Sequence, residues 1–172
     1  SEMKLLQDNN YYTPPYPSDE VLQRLHSKDY LKELTYAKNI AHFTELAFLS
    51  FLPNNIAYHK IMVTARYATS GSILAGELAL KHGWSINLGG GYHHASKDRY
   101  EGFSALADIT LSIKHLQDNH PEIKNVMIID LDAHQGNGHG RDFINDETIF
   151  ILDIYNEAIY PNDVLAKEGI DY

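Results

Sequence analysis

The feature that most constrains the fold is the apolar run VMII at positions 126–129, which is followed at once by DLDAH at positions 130–134. A continuous apolar run bounded by polar residues is typical of a strand that is buried on both faces in a parallel sheet. Ligands of such sheets bind at the carboxyl ends of the strands. The sequence therefore predicts a functional site directly after this strand.

Three polar side chains at this strand end share one face, because alternate side chains of an extended segment point the same way. They are Asp130, Asp132 and His134. Carboxylate oxygens together with an imidazole nitrogen form a ligand set that suits Zn²⁺ or a similar divalent ion. Carboxylates at a strand end can also belong to an ordinary solvated loop, so both interpretations stay open at this point.

The pattern of the remaining sequence alternates between helical and strand periodicity. Residues 1–17 are rich in proline and tyrosine and should be irregular or extended. We expect helices at 19–25, 28–35, 69–82 and 102–119, and strands at 84–88, 126–131 and 148–154. This order of elements forms βαβ units, which predict an α/β fold with a parallel sheet. No internal repeat or domain boundary is visible, so residues 1–172 are expected to form a single domain.

The composition of the chain limits which metal ligands it can provide and which partners it can bind. Cysteine is absent, which excludes disulfides and thiolate ligands, so any metal must be held by His, Asp or Glu. The formal net charge of −9 argues against direct binding of nucleic acid. The sequence contains no run of about 18 apolar residues and no signal peptide, so we expect a cytoplasmic protein with no membrane association. Histidines without ligand spacing, among them His26 and His139, are expected not to bind metal.

A second polar group follows the predicted strand at 84–88. Glycines at 89–91 let the backbone turn sharply, and His93 and His94 come next. If this strand lies beside the strand at 126–131, the two imidazoles and the acidic strand end face one crevice. Two imidazoles beside a metal ion could move protons in metal-assisted hydrolysis. The alternative is a pair of histidines that bond only to nearby backbone.

These two motifs, GGYHHA at positions 90–95 and DLDAHQGNG at 130–138, resemble those of the zinc-dependent histone deacetylase family. The segment LHSKDYL at 25–31 resembles an upstream element of the same family. Gln135 and Asn137, where many members have His and Asp, are similar to the class IV branch. The resemblance covers about residues 20–165 and implies the arginase/deacetylase fold, in which helices cover both faces of a parallel sheet.

The resemblance also implies the metal ligands and the residues that move protons. Asp132 and His134 would be two of three zinc ligands. His94 would act as general base and acid, while His93 would stabilise charge on the water and on the tetrahedral intermediate. In the family a structural monovalent cation, which would be K⁺, sits behind the zinc and uses groups from the strand end at 130–134.

Further roles implied by the resemblance concern orientation and substrate. Asp130 would accept a hydrogen bond from His93, and Asn137 would play the same part for His94. A neutral amide supports an imidazolium less than a carboxylate does, so His94 should stay neutral more easily beside Asn137 than it would beside Asp. The tunnel for an acyl-lysine stem would be lined by Gly102, Phe103 and Tyr160.

The implied reaction is zinc-dependent hydrolysis of an acyl-lysine peptide or protein by water and a histidine base. An acetylpolyamine amidohydrolase, or another hydrolase of the arginase/deacetylase fold, is the alternative, and an inactive fragment is a third hypothesis. A binuclear ureohydrolase would need an Asp at position 136, which is Gly. Family members are considerably longer, and their third zinc ligand and catalytic tyrosine lie in the later half. We therefore expect an amino-terminal portion of such a domain, with an incomplete sheet.

Overall fold

The structure is a computed structural model that describes residues 10–171. The irregular segment expected at 1–17 therefore lies partly outside the described residues, at 1–9. Positions 11–18 form neither helix nor strand, as expected. Among residues 10–171, no helix has both the length and the apolar character that crossing a bilayer requires.

Most of the described chain before the sheet is helical. The helices are α1 Asp19–Leu22, α2 Lys28–Glu33, α3 Ala37–Phe43, α4 Asn54–Ala57, α5 Val63–His82, α6 Asp108–Asn119 and α7 Asn137–Asp142. A π-helical turn at Tyr58–Met62 joins α4 to α5, so the helix predicted at 69–82 begins earlier than its apolar spacing indicates. Its end is as expected, at Gly83 in the left-handed conformation with φ 89°.

The sheet of the described residues consists of two parallel strands, β1 Val126–Asp130 and β2 Ile149–Asp153. Their register pairs Val126 with Ile149 and Asp130 with Asp153, so the two carboxylates lie side by side at the carboxyl ends. The predicted α/β architecture with a parallel sheet and helices is confirmed. The short helix α7, which lies in the connection between the strands, was not predicted.

The prediction of a strand at 84–88 is wrong, because these residues pair with no strand among residues 10–171. The hydroxyl of Ser85 donates to the carbonyl of Ala75, and the side-chain amide of Asn87 donates to the carbonyl of Ala68; Ala75 and Ala68 are residues of α5. Leu88, in contrast, is 93% exposed. Polar and apolar residues do alternate in this segment. Its polar side chains, however, form hydrogen bonds with carbonyl groups of α5, and its backbone forms no ladder of hydrogen bonds with a strand.

The helix predicted at 102–119 begins only at Asp108. Gly102 and Phe103 have φ values of 45° and 63°, which lie in the left-handed region that an α-helix cannot contain. The residues from 102 to 107 instead form a loop whose buried members, such as Leu106, join the larger of two apolar cores. Most of the other side chains in that core come from the first five helices and the turns between them, and Ala95 and, from α6, Leu111 join them.

The smaller core lies between α6 and one face of the sheet. It contains Ile113, Ile128, Phe143, Ile149 and Ile151. On the opposite face of β1, the side chains of Met127 and Ile129 are 52% and 58% exposed. The prediction that this strand is buried on both faces is therefore wrong for the described structure. Side chains of a strand alternate between faces, and helices cover only one of them here.

Candidate active site

The loop that carries the two histidines is held by a carboxylate at the start of α6. The backbone N–H groups of Gly91 and Tyr92 donate to the two oxygens of Asp108, each at 2.8 Å, and the hydroxyl of Ser72 donates to Asp108 as well. Burial raises the pKa of Asp108, although these hydrogen bonds favour the ionised form. The carboxylate thereby fixes the backbone that leads directly into His93.

A backbone contact joins the histidine loop to the segment after β1. The N–H of Gly138, in the first turn of α7, donates to the carbonyl of His93 at 2.7 Å. A Cβ atom at Gly138 would overlap the carbonyl oxygens of His93 and Ala95. Only glycine permits this close approach, and the approach brings α7 and the strand end to the two imidazoles.

His93 bonds to a carboxylate that is shared with a second imidazole. Its Nδ1 lies 2.8 Å from Oδ2 of Asp130, and Nε2 of His139 lies 2.9 Å from the same oxygen. Burial alone would raise the pKa of Asp130, but the hydrogen bonds from the two imidazoles outweigh it and hold the pKa far below its usual value. Burial tends to lower the pKa of His93, and Asp130 more than reverses this, so His93 is protonated more readily than a free histidine.

His94 bonds to an amide instead. Its Nδ1 lies 2.7 Å from Oδ1 of Asn137, and its ring centroid lies 4.1 Å from that of His93. Burial lowers the pKa of His94, the neighbouring imidazoles His93 and His134 lower it further, and the bond to Asn137 only partly offsets them. The pKa values of the two adjacent histidines are therefore shifted in opposite directions: the surroundings of His93 favour its protonated form, and those of His94 favour its neutral form.

The predicted metal ligands lie next to this pair. Oδ1 of Asp132 and Nδ1 of His134 are 3.0 Å apart, and Nε2 of His93 lies 3.9 Å from the same carboxylate oxygen. The backbone and ring of His134 lower the pKa of Asp132, which favours its ionised form. The structure thus brings together all six polar residues singled out from the sequence: His93, His94, Asp130, Asp132, His134 and Asn137.

A buried carboxylate oxygen without a partner lies behind this group. Asp153, beside Asp130 in the sheet register, accepts the N–H of Gly136 through Oδ2, while its Oδ1 is buried and makes no hydrogen bond with any of residues 10–171. Burial raises the pKa of Asp153, and the charge of Asp130 adds to this. Buried polar atoms normally have partners, so an orphaned oxygen beside a second carboxylate suits a bound cation.

Among the described residues, ligand-type atoms of His93, Asp130 and His139 all lie within 4.8 Å of one another. Both imidazoles already bond to the carboxylate, so we interpret this group as a hydrogen-bonded cluster that orients His93. Nδ1 of His139 is buried and has no hydrogen-bond partner in the part of the chain that the structure describes.

An open cleft of about 570 Å³ adjoins His94, and Gly102 and Tyr160 contribute to its lining. The ring of Tyr160 lies 5.2 Å from that of His94, and a Cβ atom at Gly102 would overlap the His94 ring. The side chain of Phe103 is 63% exposed and does not line this cleft, although its N–H donates to the carbonyl of Phe43 at 2.9 Å. Two of the three predicted substrate residues therefore adjoin the histidine pair directly.

Several residues that contact the site were not predicted from the sequence. They are Glu101, Asp108, His139, Asp153 and Asp163. Most of them lie far from the motif that they support: Glu101, for example, is 36 positions from Asn137, to which it bonds. His139 is the exception, because it directly follows the motif at 130–138 and bonds back to Asp130. The one local signal is the position of Asp108, an acidic residue in the first turn of a helix, but that position by itself indicates only a favourable helix start.

Comparison with known proteins identifies the family. Residues 1–170 match the family described as the histone deacetylase domain. The chain is 46% identical over 147 residues to histone deacetylase 2 of Arabidopsis thaliana, a match that covers 86% of this chain and 38% of the plant protein. It is 35% identical over 107 residues to a probable deacetylase of Methanothermobacter thermautotrophicus, covering 60% of this chain and 32% of that protein.

Solved structures support the fold. A crystal structure of an HDAC homolog complexed with SAHA matches with a TM-score of 0.72 at 24% identity, covering 94% of this chain and 44% of that one. The HDAC homolog from Aquifex aeolicus matches with a TM-score of 0.71 at 23% identity, covering 93% and 44%. The chain thus spans less than half of each of these structures and has the arginase/deacetylase fold. Together with the match over residues 1–170, the site geometry leads to one conclusion: the chain belongs to the histone deacetylase family.

Proposed function

We propose that this site serves zinc-dependent hydrolysis of acyl-lysine in a peptide or protein substrate, with His94 as the general base. The observation that carries the proposal is the contrast between two adjacent imidazoles: His93 bonds to a carboxylate and His94 to an amide. One ring is thereby favoured as a cation and the other as a base, which is the pairing that acid–base hydrolysis of an amide requires.

The donor atoms support a zinc ion held by Asp132 and His134. Their Oδ1 and Nδ1 atoms, 3.0 Å apart, are close enough to bind one small ion. An oxygen and nitrogen set without thiolate occurs in catalytic zinc sites, which use three protein ligands. Among residues 10–171 we assign Asp132 and His134 as two of these three ligands. When bound, the ion would polarise the acyl carbonyl and make water more acidic.

The chain's own residues would carry the proton transfers. Nδ1 of His94 faces Asn137, so Nε2 is the nitrogen that would take a proton from the attacking water. The same nitrogen would then deliver that proton to the departing lysine amine. His93, whose protonated form Asp130 favours by raising the pKa of the ring, would stabilise negative charge that develops on the carbonyl oxygen.

The cleft beside His94 would receive the substrate. Gly102 and Tyr160 lie where the acyl-lysine stem would pass, and we assign Phe103 to the exposed mouth of the passage. We further assign a structural K⁺ to the carboxyl ends of β1 and β2, where Oδ1 of Asp153 has no hydrogen-bond partner among the described residues. We also propose that the chain belongs to the class IV branch, on the basis of Gln135 and Asn137, and that it is cytoplasmic, because the sequence contains no run of about 18 apolar residues.

The test is release of acetate from an acetyl-lysine peptide by the zinc-loaded protein, with His94→Ala as the variant. We expect kcat to fall by about 100-fold or more, the scale of a lost general base. His59, an exposed residue of the π-helical turn, provides the control His59→Ala, which should keep wild-type activity. Full activity in His94→Ala, or activity that survives complete removal of zinc, would refute the proposal. Turnover of acetylpolyamines in place of peptides would favour the alternative substrate class.

A further inference from the structure

The amide of Asn137 is contacted on both of its polar atoms. Oδ1 lies 2.7 Å from Nδ1 of His94. Nδ2 donates to Oε2 of Glu101 at 2.9 Å and lies 3.4 Å from Oδ2 of Asp163. Asn137 is 1% exposed, so these protein groups, and not bulk water, set the orientation of the amide.

The chemistry of the neighbours decides which way this amide points. An ionised carboxylate can only accept hydrogen bonds, so Glu101 and Asp163 require the NH₂ group of Asn137 on their side. The carbonyl oxygen must then face His94, and an oxygen facing Nδ1 requires that Nδ1 carry the hydrogen. The lone pair of the neutral ring is left on Nε2, where a general base needs it.

An amide at this position has an orientation problem that a carboxylate does not have. A carboxylate would accept from Nδ1–H with either oxygen. A reversed amide would instead offer an NH₂ donor to Nδ1, and the ring would then carry its hydrogen on Nε2. Something other than Asn137 itself must therefore select the orientation.

We propose that Glu101 is a positioning residue that fixes the amide of Asn137 and thereby the Nδ1–H tautomer of His94, with Asp163 as the weaker second acceptor. The effect of this tautomer on catalytic turnover rests on the proposed function. The tautomer itself is a property of the folded protein and can be measured without a substrate.

Both carboxylates are themselves held in place by an arginine. Glu101 forms an ion pair with Arg99 and accepts the hydroxyl of Tyr160 at 3.2 Å. Asp163 forms an ion pair with Arg141, and Ala166 donates its N–H to the other oxygen of Asp163 at 3.1 Å. Each acceptor of the Asn137 amide is thus held by an ion pair with an arginine.

The experiment is ¹⁵N NMR of the histidine rings at about pH 8, above the usual pKa of histidine, where the two nitrogens of each tautomer have distinct shifts. Wild-type His94 should show the Nδ1–H tautomer. Glu101→Met removes the closer acceptor and should give His94 a substantial Nε2–H population. Glu101→Gln can still present a carbonyl oxygen to the amide and should keep the wild-type tautomer. Glu45→Met is the matched control, since Glu45 lines the same cleft without contacting Asn137.

A rescue separates positioning from a general structural effect. In the double variant Glu101→Met/Asn137→Asp, the carboxylate at 137 needs no orientation, so the Nδ1–H tautomer should return. The inference is overturned if wild-type His94 carries its hydrogen on Nε2, if Glu101→Met keeps pure Nδ1–H, or if the double variant fails to restore it. Should Glu101→Met not fold, the wild-type and Glu101→Gln spectra still decide the orientation.

Kinetics provide the second readout. Glu101→Met should lower kcat for an acetyl-lysine peptide by about tenfold or more with little change in KM, and the double variant should recover it. If no form of the protein hydrolyses the peptide while the tautomer changes as described, the proposed function fails and the role of Glu101 stands. If Glu101→Met is active and its tautomer is unchanged, the role of Glu101 fails and the proposed function stands.

Discussion

His26 is a buried imidazole whose two nitrogens are both in use. Its Nδ1 bonds to the carbonyl of Lys97, and its Nε2 accepts the N–H of Ala107 at 3.2 Å. The ring therefore connects the end of α1 to the loop that leads from the histidine pair to α6. Burial lowers the pKa of His26 to about 4, because a charged ring would be deprived of water and would lose the acceptor for Ala107.

This environment predicts an acid-sensitive stability. The ring titrates at about 6.5 in the unfolded chain and about 4 in the folded one, so the unfolded state takes up the proton first as pH falls. The free energy of unfolding should then drop between these values, by about 3 kcal/mol for this residue. Urea unfolding at a series of pH values measures it. His26→Gln should flatten the decline, the exposed control His59→Gln should not, and equal slopes in all three proteins would contradict the assignment.

Short-range sequence patterns identified the groups of the site that lie within a few positions of one another. His93 and His94 are adjacent, and Asp130, Asp132 and His134 alternate along one segment, so spacing placed the members of each group together. The two groups were expected to meet because a strand at 84–88 would lie beside β1; that strand does not form, yet the groups do meet. The supports of the site have no such pattern. Oδ2 of Asp130 accepts from His139 only because α7 folds back over the strand end, and that return is set by tertiary packing.

At the scale of helices and strands, the spacing of apolar residues predicted the structure correctly where side-chain burial decides the backbone conformation. Both strands and the end of α5 were predicted within about two residues, the usual uncertainty of boundaries. Prediction failed at 84–88 and at 102–107, where side-chain bonds to α5 and two left-handed residues decide the backbone. Neither cause is visible in a pattern of apolar positions.

The contact between α7 and the histidine loop yields an element-scale prediction. Gly138→Ala would place a methyl group on the carbonyl oxygens of His93 and Ala95, which are backbone atoms that cannot rotate away. We expect the free energy of unfolding to fall by about 3 kcal/mol, the upper range for overpacking, and acetyl-lysine turnover to fall with it. Thermal and urea unfolding measure the stability.

A matched glycine in the same region provides the control. A Cβ atom at Gly89 would meet only the Cβ of Ala68, at 3.7 Å, which is ordinary contact. Gly89→Ala should therefore change the stability by no more than about 1 kcal/mol. If both substitutions have the same small effect, the close approach at Gly138 does not hold the loop and the strand end together.

For the whole molecule, an apolar run shows that a strand can be buried but not which of its faces is covered. The run at 126–129 predicted burial on both faces, yet α6 and the segments around it cover only the face of Ile128. Periodicity predicted the α/β class with a parallel sheet, and the resemblance to the histone deacetylase family added the arginase/deacetylase fold. The resemblance implied helices on both faces of the sheet, whereas the described residues cover only one. The bare face of β1 and β2 is the most consequential difference between the prediction and the structure.

This bare face predicts self-association of the 172-residue chain. Met127 and Ile129 on β1, with Phe150 on β2, form an exposed apolar surface beside a strand edge, and such surfaces pair with one another in water. Sedimentation velocity over a range of concentrations should show association that weakens in Met127→Thr/Ile129→Thr, a change that places a β-branched residue, which strands favour, at both positions. The control Phe48→Thr/Phe51→Thr removes two exposed aromatic side chains from another surface and should leave the association unchanged. Association that is lost equally in both double variants would show that general hydrophobicity, and not the strand face, drives it.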